Sequence, residues 1–491
     1  MKRSRLFLLL LCAAMVFQLI GSPVLAVDDV TVPPTEGEIP TVITGDASVS
    51  SGCRTIDAQK PLADVMDYEV GAKATIAYEM TTGTLIYAMN PDLVCYPASL
   101  TKIMTCLLAL EMGNPDDMVT VSSTAIADIP NDSSSAHLQA GEQMSLQNLL
   151  YCLMVESAGD AGSVVAEYIA GSEGAFVDLM NQRALQLGCE NTHFANSHGL
   201  HDDNHYTTAR DLAKITLAAL EFEAFRQIYS VAVYEVPATN MSDKRTLYST
   251  NYMLGEQIMK GHMDKRVTGG KTGFTTPAGR CLMATAVHND MNVLTIMLGA
   301  QQIVDEDGIT ILRYGSFEET SALLDYIFDN YKTAEVLSPN MVGQFSVPGA
   351  RNDVAVSPLT TTCSVLPADY DQDNKMQNMT VDYVPNDNLS APIQAGQTVG
   401  TVRAWYQSTC VAQASVAAVN AVALSPSAGQ NGEGNSVEGQ TEGMSEFMRI
   451  FLGTFLGLVA LVLVLAIISG IRNAILRAKR RRRRKSRRRS R

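Results

Sequence analysis

The stretch PASLTKIM, Pro97 to Met104, puts a serine and a lysine three residues apart at the start of an apolar run. Helical spacing places Ser99, Lys102 and Cys106 on one face, with Leu100, Ile103, Met104, Leu107 and Leu108 on the others. A helix that is apolar nearly all round is buried. One reading is therefore the first turn of a core helix and nothing more. The other is a catalytic device, because burial disfavours the ammonium form and turns a lysine into a base near neutral pH. Ser99, at the first turn, would then lie beside unpaired backbone N–H groups that stabilise an oxyanion. The spacing S-x-x-K arises by chance about once in a chain of this length, so the decision rests on the remaining sequence.

Both ends of the 491-residue chain point to export. Lys2, Arg3 and Arg5 precede the apolar run Leu6–Ile20, and Val24-Leu25-Ala26 offers small residues for cleavage, so residues 1–26 read as a secretory signal. Residues 450–471 are apolar and uncharged, long enough to cross a bilayer as one helix. Residues 472–491 follow with thirteen Lys or Arg and no acid. Beside a spanning segment, such a run holds that end in the cytoplasm against anionic lipid. The expected location is the cell membrane, single-pass, with the catalytic body on the extracytoplasmic face. Setting aside the three cations of the signal and the thirteen of the tail takes the net charge from −14 to about −30 for the body between them. Nucleic acid is excluded as a partner for so acidic a body. Of nine cysteines, Cys12 lies in the signal, and the others show no CxxC or Cys/His metal spacing. Cys363 and Cys410 are placed to pair in a small C-terminal domain, although spacing does not fix connectivity.

Composition divides the remainder. Residues 27–60 are a Pro-, Gly-, Thr- and Ser-rich leader, and residues 424–449 form a disordered stalk that includes SPSAGQNGEGNSVEGQTEG. Between them, residues 61–335 mix strands and helices. Ala74–Met80 and Thr84–Ala88 form a hairpin, a helical section runs from Ser99 to about Phe225, and strands return at Arg266–Thr275, Cys281–Val287 and Val293–Leu298. An amphipathic helix over Ser316–Tyr331 closes the block. Strands at both ends imply an antiparallel sheet completed by the two ends, with an inserted helical lobe. Residues 336–423, with strands at Val381–Tyr383, Gln397–Ala404 and Val411–Val416, read as a small all-β domain.

Two further motifs bear on the opening pair. In VTGGKTGFTTPAG, 267–279, Lys271, Thr272 and Gly273 offer a cation, a hydroxyl and a side-chain-free approach to an edge strand; a mere bulge is the plainer alternative. In VESAGDAG, 155–162, Ser157 falls on a loop between two helices, with Asp160 capping the second. An ordinary capping turn explains that stretch equally well. His198, His201 and His205 cluster beside Asp202 and Asp203, but not with metal-site spacing on one helix, so neither a metal nor a cofactor is expected.

Taken in order, PASLTKIMT, Ser157 and GGKTGFTTPAG resemble the penicillin-binding D-alanyl-D-alanine carboxypeptidases, low-molecular-mass serine peptidases of bacterial cell walls. FANSHGLHDDNHYTTARDLAKIT at 194–216, STNYML at 249–254 and LSAPIQAGQTVGTV at 389–402 extend the resemblance over about 70–423. It implies the α/β (α+β) penicillin-binding, serine β-lactamase-like transpeptidase fold, followed by the β domain. It also implies Ser99 as nucleophile, Lys102 as its base and Ser157 as a proton relay. Lys271 and Thr272, with Arg313 as a further match, would hold the terminal carboxylate of a peptidoglycan stem peptide ending in D-Ala-D-Ala. Gly273 gives the substrate its approach, and the N–H groups of Ser99 and Phe274 form the oxyanion hole. β-Lactams would acylate Ser99. The family's second motif is Ser-x-Asn, whereas this chain has Gly159 in the third place. Losing that amide is expected to weaken acylation, by roughly 10²-fold unless a neighbour substitutes. Two alternatives remain from the sequence: a β-lactamase-related hydrolase, and a degenerate penicillin-binding scaffold.

Overall fold

The computed structural model describes residues 56–57, 59–63, 69–127, 133–305, 311–370 and 379–425. The signal, most of the leader, most of the stalk, the apolar run 450–471 and the basic tail lie outside these. Among the described residues no helix is long and apolar enough to cross a membrane.

Strands β1 (Ala74–Glu79) and β2 (Thr84–Met89) form the expected hairpin, turning at Gly83 with φ +69°. A 3-10 turn, Ala98–Thr101, leads into α1 (Lys102–Met112), buried from Lys102 to Ala109. Short strands β3 (Met118–Thr120) and β4 (Gln143–Ser145) pair with each other. Next come α2 (Leu146–Met154), α3 (Gly159–Ala170), α4 (Glu173–Gln186), α5 (Ala209–Leu220) and α6 (Glu223–Tyr229). Ser145, Ser172 and Thr208 accept backbone N–H bonds at the starts of α2, α4 and α5, which is how short hydroxyl side chains end the preceding loop and begin a helix. After a small hairpin, β5 (Val233–Val236) and β6 (Arg245–Tyr248), the chain returns to the sheet as β7 (Val267–Thr275), β8 (Gly279–His288) and β9 (Met291–Ala300). Asn289 and Asp290, at φ +48° and +60°, make the tight turn between β8 and β9, because a two-residue hairpin that matches strand twist needs positive φ at both positions. The main sheet runs β2-β1-β9-β8-β7, antiparallel throughout, with β7 at its edge.

The pair β10 (Gln302–Val304) and β11 (Ile311–Tyr314) leads to α7 (Gly315–Asn330), which packs Phe317, Leu323, Leu324 and Ile327 on one sheet face with Leu282, Val293 and Met297. On the other face the helices gather around α1. Then β12 (Tyr331–Leu337) leaves α7 directly, and β13 (Gly343–Phe345), β14 (Val354–Pro358), β15 (Thr362–Pro367), β16 (Met379–Pro385), β17 (Thr398–Tyr406) and β18 (Thr409–Ala418) follow. These form a five-stranded sheet, β13-β14-β18-β17-β16, and a β12-β15 pair around Val354, Val356, Val399, Val402 and Val416. Val365 of β15 is buried with Ile86 and Leu324, and the Thr84 and Ser364 hydroxyls meet at 3.1 Å, so β15 lies against β2. Cys363 carries a free, exposed thiol while Cys410 is disulfide-bonded, so the two are not paired with each other.

Candidate active site

The turn at Pro97–Ser99 is held from two sides. Ala98 takes φ +49°, a left-handed conformation that costs a non-glycine residue about 1–2 kcal/mol and persists only where its surroundings enforce it. Two glycines supply that enforcement by their lack of side chains. A Cβ at Gly199, itself at φ +83°, would sit 2.0 Å from the Ala98 carbonyl oxygen. One at Gly273 would sit 3.0 Å from both Pro97 O and Ser99 N. The HGL segment and β7 thus press backbone to backbone against the serine.

Lys102, one turn on, is 2% exposed. Its Nζ donates to Ser99 Oγ at 3.1 Å and to the His198 carbonyl. Burial pulls its pKa down to about 7, with the Asp160 charge opposing. Ser157, at the corner between α2 and α3, also has a positive φ, +63°, and accepts from Lys271 Nζ at 2.8 Å. Lys271 is 1% exposed; burial and the Lys102 charge hold its pKa well below the usual lysine range. The Thr272 and Thr250 hydroxyls lie 2.5 Å apart, so STNYML supplies the partner of Thr272. Ser99, Lys102, Ser157 and Thr272, distant in sequence, thereby line one cleft of about 580 Å³, with Gly273, Phe274 and Gly159 in its walls and Lys271 buried behind Ser157.

Asp160 does not cap α3; Ala158 takes that place and Asp160 lies in the first turn. Its carboxylate accepts from the N–H groups of Ala136 and Leu138 and from Ser135 Oγ, at 2.7–3.0 Å. Gly159 N–H bonds Ser134 O at 2.8 Å. Together these bonds draw the serine-rich segment against α3, and Ser133 and Ser134 join the cleft lining beside Gly159.

Arg313 is not brought to the cleft. It stands on β11, where Glu318 and Glu319 of α7 take its guanidinium at 2.9 and 2.7 Å. The arginine that does line the cleft is Arg280. It went unread because KTG drew attention to β7 alone, although the hairpin register sets Arg280 directly opposite Phe274. The histidines are separately engaged: His205 Nε2 meets Thr101 Oγ1 at 2.7 Å, His201 Nε2 lies 3.4 Å from Asp203, and His198 lines the cleft. Among the described residues no three His, Cys, Asp or Glu side chains are grouped to hold a metal.

Comparison with known proteins bears on the family and the fold. A family model for D-alanyl-D-alanine carboxypeptidase (peptidase S11) matches residues 58–302, and one for the C-terminal domain of penicillin-binding protein 5 matches 365–424. The D-alanyl-D-alanine carboxypeptidase DacF of Bacillus subtilis is 30% identical over 354 residues, which is 71% of this chain and 85% of DacF. DacC of Escherichia coli is 30% identical, with 68% of this chain and 80% of that protein covered. Among solved structures, penicillin-binding protein 5 from Haemophilus influenzae superposes with a TM-score of 0.57 at 28% identity, covering 72% of this chain and 98% of that one. With the sheet, the helical lobe and the C-terminal β fold all matched, this chain belongs to the D-alanyl-D-alanine carboxypeptidase family of serine peptidases.

Proposed function

We propose that the protein removes the terminal D-alanine from peptidoglycan stem peptides through an acyl-enzyme on Ser99. The observation that carries this is the desolvated Lys102 amine 3.1 Å from Ser99 Oγ, on the floor of a cleft walled by an edge strand. An edge strand has an open side along which an extended peptide can pair. With the peptide there, neutral Lys102 takes the Ser99 proton as Oγ attacks the penultimate D-alanine carbonyl. The N–H groups of Ser99 and Phe274 stabilise the oxyanion. Collapse breaks the peptide bond, the proton passes to the leaving amine by way of Ser157, and free D-alanine departs. Water then hydrolyses the Ser99 ester. Lys271 holds Ser157 in place through its 2.8 Å bond, and Thr272 donates to the substrate's carboxylate. A β-lactam presents a strained amide and a carboxylate to the same groups and acylates Ser99.

Gly159 is the observation that favours the scaffold reading, since the amide expected there is absent. Against it, Ser99, Lys102, Ser157 and Thr272 line one cleft, and the buried Lys271 behind them is bonded to Ser157. A β-lactamase is disfavoured by the C-terminal β fold. We further propose export by residues 1–26 and anchoring by residues 450–471, on the strength of their sequence alone. Incubating the protein with a peptide ending in D-Ala-D-Ala should release D-alanine, and fluorescent penicillin should label the wild type but not Ser99→Ala. Absence of D-alanine release would sink the carboxypeptidase reading, and rapid nitrocefin turnover would replace it with the β-lactamase one.

A further inference from the structure

Arg280 is the one arginine in the cleft lining among the described residues, and its surroundings differ from those of five other arginines. Arg183, Arg210, Arg245, Arg266 and Arg313 each lie within 2.9 Å of a carboxylate oxygen. Arg280 has no carboxylate partner among the described residues. Its Nε donates to Gln302 Oε1 at 2.6 Å, and its guanidinium carbon lies 4.3 Å from the Phe274 ring centre and 5.0 Å from that of Tyr314. Two aromatic faces and one amide therefore fix the plane of a cation while supplying no anion. Burial pulls its pKa below the usual arginine value, with Tyr314 and Tyr252 opposing. Holding a half-buried cation without a counter-charge is costly unless a ligand supplies one.

Register shows where that ligand lies. Arg280 of β8 is directly opposite Phe274 of β7, and opposed residues of an antiparallel pair point to the same face. Thr272 is two residues from Phe274, on that same face about 7 Å away along the strand. The Thr272–Thr250 hydroxyl pair and the Arg280 guanidinium therefore border one end of the cleft. A guanidinium whose Nε is occupied still presents its terminal N–H groups, the geometry that suits a carboxylate.

We propose that Arg280, oriented by Gln302 between Phe274 and Tyr314, is the specificity-determining cation that receives the substrate's C-terminal carboxylate, the position for which sequence similarity nominated Arg313. The assignment rests on the carboxypeptidase reading and adds the residue that makes the cleft select a free C-terminus. Arg313 is excluded by its two glutamates, which already satisfy it outside the cleft.

The test uses the full-length protein in detergent. Second-order acylation rates are measured with a penicillin as the free acid and as its methyl ester, and KM and kcat with a D-Ala-D-Ala peptide. Wild type should prefer the free acid. Arg280→Gln should lose roughly 10- to 100-fold on the free acid and in KM, with the ester rate little changed. Arg280→Lys should recover part of the loss, since it restores charge without the planar fork. The unchanged ester rate reports that each variant is folded. Arg313→Ala should keep the wild-type preference. Free-acid preference that survives in Arg280→Gln, or that disappears in Arg313→Ala, overturns the assignment while leaving the carboxypeptidase reading standing. A wild-type protein that neither releases D-alanine nor is acylated by penicillin instead removes the reading on which the assignment depends.

Discussion

Around the Ser99 turn, at Gly199 and Gly273, the backbone is crowded, whereas around Gly159 it is not. Added Cβ atoms at Gly199 and Gly273 meet backbone at 2.0 and 3.0 Å. At Gly159 the nearest atom to an added Cβ is Ser134 O at 3.5 Å, followed by His198 Cβ at 3.8 Å and Ser133 Oγ at 3.9 Å, ordinary contact distances. Gly159 also starts α3 without a positive φ. The glycines at 199 and 273 are therefore required by close packing, since fixed backbone cannot move aside for a methyl group. Glycine at 159 is not required by space. Its presence removes a functional group without being demanded by the fold.

Substitutions at the three glycines should separate these cases. Gly199→Ala is expected to be the most damaging, because steric overlap with Ala98 adds to an unfavourable left-handed φ. Penicillin acylation should fall by about 10³-fold or more, with a lowered Tm. Wild-type acylation in this variant would break the claim that HGL fixes the serine turn. Gly273→Val should cost about 10²-fold, since β7 must retreat from Ser99 and misplace the oxyanion donors. Gly159→Asn runs the other way. The room for a Cβ is present, so the fold should accept it with a Tm within a few degrees of wild type, and acylation should rise by up to roughly 10²-fold. A fall in acylation would mean that Ser133 and Ser134 already occupy the functional place of the amide.

The same contrast explains what could be read from the sequence. The hairpin of β1 and β2, the return of β7 to β9, and α7 follow from alternation, turn residues and amphipathic spacing, which are local signals. Ser99, Lys102 and KTG were legible as motifs because each is contiguous. Arg280 and the serines at 133 and 134 were not, because hairpin register and the long-range bonds to Asp160 bring them in. Arg313 looked suitable in sequence, yet nothing local announced that Glu318 and Glu319, one turn on, would claim it. The small strands β3 to β6 also escaped notice, being three or four residues long.

The smallest expected effect concerns the protons on the crowded side. Lys102 must be neutral to take the Ser99 proton, and burial brings its pKa to about 7. The acylation rate should therefore be flat above neutrality and fall about tenfold per pH unit below it. Beneath the same turn, the buried His205 has its pKa depressed to about 4, first by desolvation and with the Asp202 charge opposing. A histidine depressed in the folded state binds its proton more readily when unfolded, so its contribution to stability is complete above the unfolded value and is lost as pH falls towards the folded one. Between pH 6.5 and 4 that loss amounts to about 3 kcal/mol. Acylation should thus decline at a pH where Tm is still near its plateau, with unfolding entering only in the more acid range. Measuring both from pH 8 to 4, in wild type and in His205→Gln, tests this order. If the two profiles fell together in wild type, and both flattened in His205→Gln, the acid limb would report loss of the Thr101–His205 support rather than protonation of Lys102.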